Sequence, residues 1–412
     1  MSTKSGVLLT NAKPLGFETN DQKLSAPLDV RIDQEGKVAE VGSSLRPLSG
    51  GDERVIDLEG GYLSPGWIDI HTHIYHGVCD LAIDPDRVGP ETGVAQLVDA
   101  GSAGEANFPG FRDYIAETRD YPIKSFLNIG SIGLTAGNRI SELTGPASVN
   151  HQRIRQCVKE NEEIIKGIKI RASKTILGDT GDHFVKMAKN VARNLDLPLV
   201  VHVGEPPIIP ADLLEGILDP GDMVTHVFHG KVGGSLLERP SQMELFKKAQ
   251  QEGIIFDLGH GAASFSYQCA RQAVENGLKP DTISTDLHAY NYDGPVWDLP
   301  TVMSKTLALG MGLEKVIQGV TAEPASFLNA DGWCELTEGN RANFTAFECQ
   351  KGTFSFQDSA AVDDSTSADP GDRTTFTGEV FLTPRYTVGG TDVTEAHSRF
   401  PGANRTGDSQ YQ

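Results

Sequence analysis

Between residues 61 and 329 the chain alternates short β-branched, apolar runs with longer stretches whose apolar positions recur at helical spacing. The first pattern fits buried strands and the second amphipathic helices, and their alternation marks βα units around a parallel sheet. Eight strand candidates follow in order: GWIDIHTHI, TGVAQLVDAG, IKSFLNIG, IKGIKIRAS, LPLVVHVGE, DMVTHVFHG, GIIFDLGHG and DTISTDLHA. Helical periods lie between several of them, in HFVKMAKNVARNL, SQMELFKKAQQEG and FSYQCARQAVENG. Eight strands close a (β/α)₈ barrel, and the span suits the roughly 250 residues typical of that fold.

The flanks lack a helical period. GVLLTNAKPLG, LDVRIDQEGKVAEVG and RVIDLEGGYLSPG before the barrel, and NFTAFECQKGTFSF and GEVFLTPRYTVGG after it, read as strands separated by turns. The expected architecture is α/β: a TIM barrel over residues 61–329, beside a small β-sandwich built from residues 1–60 and 330–412. Between the last two runs, QDSAAVDDSTSADPGDRTT has the composition of a loop.

Composition then removes several function classes. A chain of 412 residues with 38% hydrophobic and 22% charged residues is an ordinary globular protein. Its formal charge of −20 argues against nucleic acid, which needs a basic footprint. No apolar run is long enough to span a bilayer, and the first residues lack the apolar core of a signal peptide, so a cytoplasmic enzyme without a membrane partner is expected. Five scattered cysteines without a C-x-x-C pair read as reduced, packed thiols. The partner is then a small-molecule substrate, and a homo-oligomer stays open.

The candidate chemistry gathers at strand ends. His71 and His73 flank Thr72, and residues two apart on a strand share a face, so both imidazoles can enter one metal site. Taken alone, such a pair is as readily structural. Lys169 shares a strand face with Arg171; burial lowers the pKa of an inward lysine, and a neutral amine can take up carbon dioxide to become a bridging carbamate. A pair with a barrel carboxylate is the plainer account of that lysine. His202 and His226 end two consecutive apolar strands, and Asp286 ends the last, where a carboxylate can bind metal and exchange a proton with water. Six metal-competent side chains at the same ends of five strands, which face one mouth in a barrel, are hard to assign to packing.

These residues sit in longer runs: PGWIDIHTHIY, VDAGSAGEANFPGFRDYI, GIKIRAS, VVHVGEPP, GDMVTHVFHGK, FDLGHGAASFS and STDLHAYNYDGPVWDLPTVMSK. Through them the chain resembles the metal-dependent amidohydrolase superfamily, in its dihydroorotase-like branch of bacterial deacetylases. The resemblance implies two divalent cations, with His71, His73 and Asp286 on the first, His202 and His226 on the second, and an N6-carboxylated Lys169 bridging them. It implies acyl-group cleavage from small carboxylates, with Asp286 as the catalytic proton carrier. Zinc is the first expectation from such ligands, ahead of manganese, iron or cobalt.

Arg171 is the candidate for a substrate carboxylate, against a plainer pair with Glu205 or Asp257; His288, His260, Asn107 and Tyr75 are further candidates for substrate binding, and His229 is an alternative ligand to His226. A dihydroorotase-like cyclic amidase ranks second, because the family pattern places an arginine two residues after the His-x-His pair and Tyr75 stands there. A non-catalytic assembly protein on the same fold ranks third, since all six ligand types are present. Asn343 replaces an aspartate usual in relatives at the return into the terminal domain, which leaves the route of the last strands open.

Overall fold

The computed structural model describes residues 6–18, 24, 26–48, 53–205, 208–359 and 373–403. Most of the Asp- and Ser-rich stretch after Gln357 that reads as a loop lies outside them. The N-terminal strands are β1 (Gly6–Pro14), β2 (Leu28–Ile32), β3 (Val38–Gly42), β4 (Glu53–Asp57) and β5 (Tyr62–Pro65). The barrel strands are β6 (Trp67–Thr72), β7 (Val94–Asp99), β8 (Ile123–Asn128), β9 (Ile165–Arg171), β10 (Leu199–His202), β11 (Met223–Thr225) and β12 (Ile255–Asp257). The last three are β13 (Asn343–Gln357), β14 (Thr375–Gly389) and β15 (Asp392–Glu395).

Strands from both chain ends share one sheet, in the order β15-β14-β13-β5-β1-β2-β3, with β4 paired to β1. β1 makes this possible. Its register with β2 slips between Leu9 and Ala12, where Asn11 has a φ of 58°. The kink hands the end of the strand, Lys13 and Pro14, over to β5. An apolar core of Val7, Leu9, Val30, Ile32, Leu63, Phe344 and Val388 fills this strand-rich domain. The departure at Asn343 leaves the return intact: β13 pairs with β5 from Phe344 onward, and Asn343 O accepts from Gly66 N at 2.9 Å.

β6 to β12 pair in sequence order, each parallel to the next. The three helices expected from periodicity are present as His183–Asn194, Pro240–Gln251 and Tyr267–Glu275. The eighth strand candidate departs from expectation, forming single parallel bridges, Thr72 to Leu287 and Asp257 to Thr282, in place of a regular strand. Backbone bonds still tie it on one side to β6 and its continuation, from Asp286 N to His71 O (2.7 Å) and from His73 N to Leu287 O (2.9 Å). On the other side they tie it to β12, from Leu258 N to Thr282 O at 3.0 Å. The ring is thus closed. A regular ladder fails because Asp286 has a φ of 51°, incompatible with an extended strand. The buried hydroxyls of this segment are also engaged, Thr282 and Ser284 with Asp257 and Thr285 with Asp69. Burial pushes Asp69 up to about 7, although both bonds from Thr285 act against the shift.

Behind the closing segment lies the helix Leu299–Ala308, its N-terminus capped by Asp298, which accepts from Thr301 N. Nearly every residue of it is buried, because β14 packs against it on the outer side; Ser304 Oγ accepts from Leu382 N at 2.9 Å. The long β13–β14 hairpin therefore reaches from the terminal domain across the barrel. All five cysteines are free. Among the described residues no helix is long and apolar enough to cross a membrane.

Candidate metal centre

The C-terminal ends of β6, β9, β10 and β11 and the closing segment bring the predicted ligands together. His71, His73 and Asp286 form a buried group whose ligand atoms lie within 4.8 Å of one another. His71 Nε2 and His73 Nε2 stand 3.4 and 3.2 Å from Asp286 Oδ1. His226 Nε2 is 4.0 Å from Asp286 Oδ2, and the His202 ring lies edge-on to His226 with centroids 4.3 Å apart. Lys169 Nζ is 3.4 Å from His71 Nε2, and among the described residues that is its single hydrogen-bond partner.

Surrounding groups set the tautomers. His226 Nδ1 donates to Gly259 O at 2.6 Å, and a carbonyl can only accept, so the proton sits on Nδ1 and Nε2 presents a lone pair. That Nε2 is buried and, among the described residues, has no hydrogen-bond partner. His71 Nδ1 meets Thr225 Oγ1 at 3.0 Å, and Thr225 donates onward to Asp257 at 2.6 Å. His73 Nδ1 meets Ser102 Oγ at 2.9 Å. Three imidazoles thus direct Nε2 toward one point while their Nδ1 atoms are held from behind, the arrangement that orients metal-binding histidines.

Ionisation states agree with cation binding. Burial lowers His71, takes His202 well below its usual range and brings His226 down to about 3, which favours the neutral, metal-binding form of each. Burial also lowers Lys169, to about 8, despite the pull of Asp286. For Asp286 burial opposes ionisation, but His71, His73 and His226 outweigh it and hold the carboxyl well below its usual range. Neutral imidazoles around an ionised carboxylate, with one lone pair unmatched, are a donor set for a divalent cation.

The backbone is strained at two of these residues. His226 and Asp286 both have positive φ, 71° and 51°. Such strain in non-glycine residues persists where the surroundings hold it, often at functional sites. Three glycines leave room for the ligands: a Cβ on Gly101 would stand 2.7 Å from Lys169 Cγ, one on Gly259 2.8 Å from His226 Nδ1, and one on Gly261 2.6 Å from Asp286 Oδ2.

The substrate-binding candidates fall into two groups. Arg171 is engaged: its fork donates to Glu142 through Nε (2.8 Å) and Nη2 (2.6 Å), and Nη1 donates to Asn138 at 2.6 Å. Its carboxylate partner is thus Glu142. Tyr75 Oη donates to Asn107 O at 2.8 Å, while the Asn107 side chain accepts from Gly104 N and donates to Ile132 O and Thr135. Both residues fasten loops to one another. His260 is occupied on both ring nitrogens, by Gly261 O at 3.0 Å and Lys305 Nζ at 2.8 Å. His288 is half-buried, and its Nδ1 accepts from Tyr290 N, which leaves the Nε2 proton for another acceptor. His229 turns Nδ1 toward Lys231 N in its own loop and stays outside the ligand group.

Sequence reasoning missed Ser102, Thr225, Glu142, Lys231 and Lys305. Ser102 and Thr225 stand beside predicted strand ends, where the need to hold each histidine from behind was a usable signal.

Residues 62–376 match the amidohydrolase family. The chain belongs to that family. A deacetylase of Agrobacterium fabrum is 48% identical over 342 residues, 83% of each chain. A deacetylase of Brucella anthropi is 46% identical over 342 residues, 83% of this chain and 84% of the relative. A solved structure described as a dihydroorotase superposes with a TM-score of 0.87 at 43% identity, covering 96% of this chain and 99% of that one. This amidohydrolase is therefore a hydrolase on a barrel with a strand-rich domain from both termini, as the sequence resemblance implies.

Proposed function

We propose that this amidohydrolase is a binuclear-metal hydrolase that removes an acyl group, foremost acetyl, from an amide or ester of a small carboxylate, such as an N-acetyl amino acid or an acetylated hydroxy acid. The observation that carries the reading is the unpartnered Nε2 of His226 beside the His71, His73 and Asp286 group, a lone pair that a bound cation would satisfy. His71, His73 and Asp286 would hold one ion, His202 and His226 a second, and Lys169, carboxylated on Nζ, would lie between them. Zinc suits neutral imidazole with carboxylate oxygen. Bound cations of this kind supply Lewis acidity, polarising the acyl carbonyl and lowering the pKa of water.

The chain's own groups do the rest. Asp286, ionised and within 4.0 Å of His71, His73 and His226, accepts the proton of the attacking water and returns it to the leaving nitrogen or oxygen. The substrate carboxylate needs a cation, and the pairing of Arg171 with Glu142 favours a different one. Lys231 Nζ and His202 Nε2 both lie within 4 Å of the point that a Gly204 side chain would occupy, so the missing side chain leaves room between them. We assign the carboxylate to Lys231, whose Nζ is 3.7 Å from Glu205, with His288 as a further donor.

A dihydroorotase-like cyclic amidase is the second reading, favoured by the description of the similar structure. Against it stands Tyr75, which offers no cation two residues after His73 and whose hydroxyl is already bonded to Asn107. Metal analysis of the purified chain, with N-acetyl amino acids, acetylated hydroxy acids and dihydroorotate as substrates, separates these readings. The expectation is about two ions per chain, loss of activity on chelation and no turnover of dihydroorotate. A fully active metal-free chain would overturn the proposal.

A further inference from the structure

Lys305 is a fully buried lysine far along the chain from every predicted ligand, on the inner side of the helix Leu299–Ala308. Its ammonium meets three acceptors: Pro295 O at 2.7 Å, Gln357 O at 2.8 Å and His260 Nε2 at 2.8 Å. Three protons and three acceptors match one to one. Each acceptor belongs to a different piece of the fold: the turn after β12, the loop after the closing segment, and the end of β13.

A second bond system fastens the same pieces together. Ser359, two residues after β13, donates through Oγ to His260 O at 3.1 Å, and the same Oγ accepts from Ser264 N and Phe265 N. Its backbone N donates to Phe265 O at 3.0 Å. Beside it Asp358 accepts from Tyr267 N and from Thr374 N. The Phe265 ring stacks on His260 with centroids 4.5 Å apart.

What is held is the turn Gly259-His260-Gly261. Gly259 O is the acceptor that fixes the tautomer and direction of His226. Gly261 is the backbone wall against Asp286 Oδ2, at a distance no side chain could enter. We propose that Lys305 and Ser359 are positioning residues for the metal centre: through His260 the terminal hairpin fixes the turn that aims His226 and backs Asp286. The strand-rich domain is on this account a working part of the site.

The inference rests on the binuclear reading only through His226, and its test does not require the substrate to be known. The measurement is Zn²⁺ binding by the metal-free full chain, titrated in metal buffers at 25 °C, alongside circular dichroism and the melting temperature. In the Lys305→Met variant the ion at His226 should bind about 10–100-fold more weakly than in the wild type, the range seen when groups behind metal ligands are removed. Ser359→Ala, a smaller change, should shift the same ion in the same direction, and it decides the matter if Lys305→Met does not fold. A role confined to joining the domains would lower the melting temperature and leave Zn²⁺ affinity unchanged in both variants, and that result would overturn the inference. A wild-type chain that takes up no second ion would instead count against the binuclear reading itself.

Discussion

Two buried lysines divide the chemistry of this barrel between them. Lys305 lies among three oxygen and nitrogen acceptors at 2.7 to 2.8 Å. Lys169 faces imidazoles, its nearest bonded atom being His71 Nε2 at 3.4 Å, and among the described residues no carboxylate forms an ion pair with it. Burial brings Lys305 down to about 7 and Lys169 to about 8. The difference is thus not one of pKa. It lies in what surrounds each nitrogen: three acceptors at 2.7 to 2.8 Å hold Lys305 as a tie, whereas Lys169 has one long contact, to His71 Nε2 at 3.4 Å. The second environment favours a nucleophilic amine that can be capped by carbon dioxide.

The sharpest way to break this contrast is to remove Lys169. Lys169→Ala should lose bound metal and reduce turnover by roughly three orders of magnitude or more, because on the proposed reading both cation sites would lose a shared ligand. Short carboxylic acids should restore part of both by supplying a bridge. Labelled bicarbonate should give a carbamate carbon signal in the wild type and none in the variant. Wild-type turnover by Lys169→Ala, or the lack of any carbamate signal in active wild-type protein, would show that Lys169 is an ordinary buried amine.

Gly101→Ala attacks the same lysine without touching its nitrogen. Gly101 has a φ of 93°, and an added methyl would meet Lys169 Cγ at 2.7 Å and Cβ at 2.9 Å. Metal affinity and turnover should fall by about 10–100-fold, in line with a small displacement of a ligand. If metal content and rate stay at wild-type levels, the close packing of Lys169 is not needed for the centre.

How much of this could be read beforehand depended on periodicity. The candidate ligands other than Asp286 sit at or just past the ends of regular apolar strands, so their shared mouth follows from spacing, and the terminal strands could be read from alternation and turns. Glu142, Lys231 and Lys305 could not be picked out, because two lie in irregular loops and the third sits in a helix buried nearly all round, where a lysine carries no sign of its partners. Arg171 misled for a related reason. Its strand position places it beside Lys169, but its charge is matched by Glu142, from a loop without a pattern. The closing segment was expected as a strand since ISTDLHA is β-rich, whereas the positive φ at Asp286 is a tertiary demand that local propensity does not encode.

Arg171 and Lys231 extend the comparison to the substrate. A guanidinium already neutralised by a bidentate carboxylate should not select charged substrates, and a lysine about one quarter exposed in a glycine-rich loop should. Lys231→Met is expected to reduce kcat/KM for acetylated acids by roughly 10–100-fold and to leave neutral esters within about threefold. Arg171→Met should depress both classes alike. Selective loss on acids in Arg171→Met, with no selectivity in Lys231→Met, would return the carboxylate to Arg171.

The smallest effect tests the satisfied lysine through pH. An unfolded lysine keeps its proton up to about 10.4, whereas Lys305 in the folded chain holds it only to about 7. Between these values the unfolded chain binds more protons, so this group makes the fold gain stability as pH rises from 7, and the gain is complete only above the unfolded pKa. In metal-free protein the stability of the wild type relative to Lys305→Met should therefore increase between pH 7 and pH 9, by roughly 1–2 kcal/mol. Urea denaturation of both chains at the two pH values measures it, and taking the difference cancels groups that titrate in both. A flat difference would mean that the three acceptors offset burial and keep Lys305 an ammonium throughout, so the contrast with Lys169 would then extend to pKa as well as to bonding.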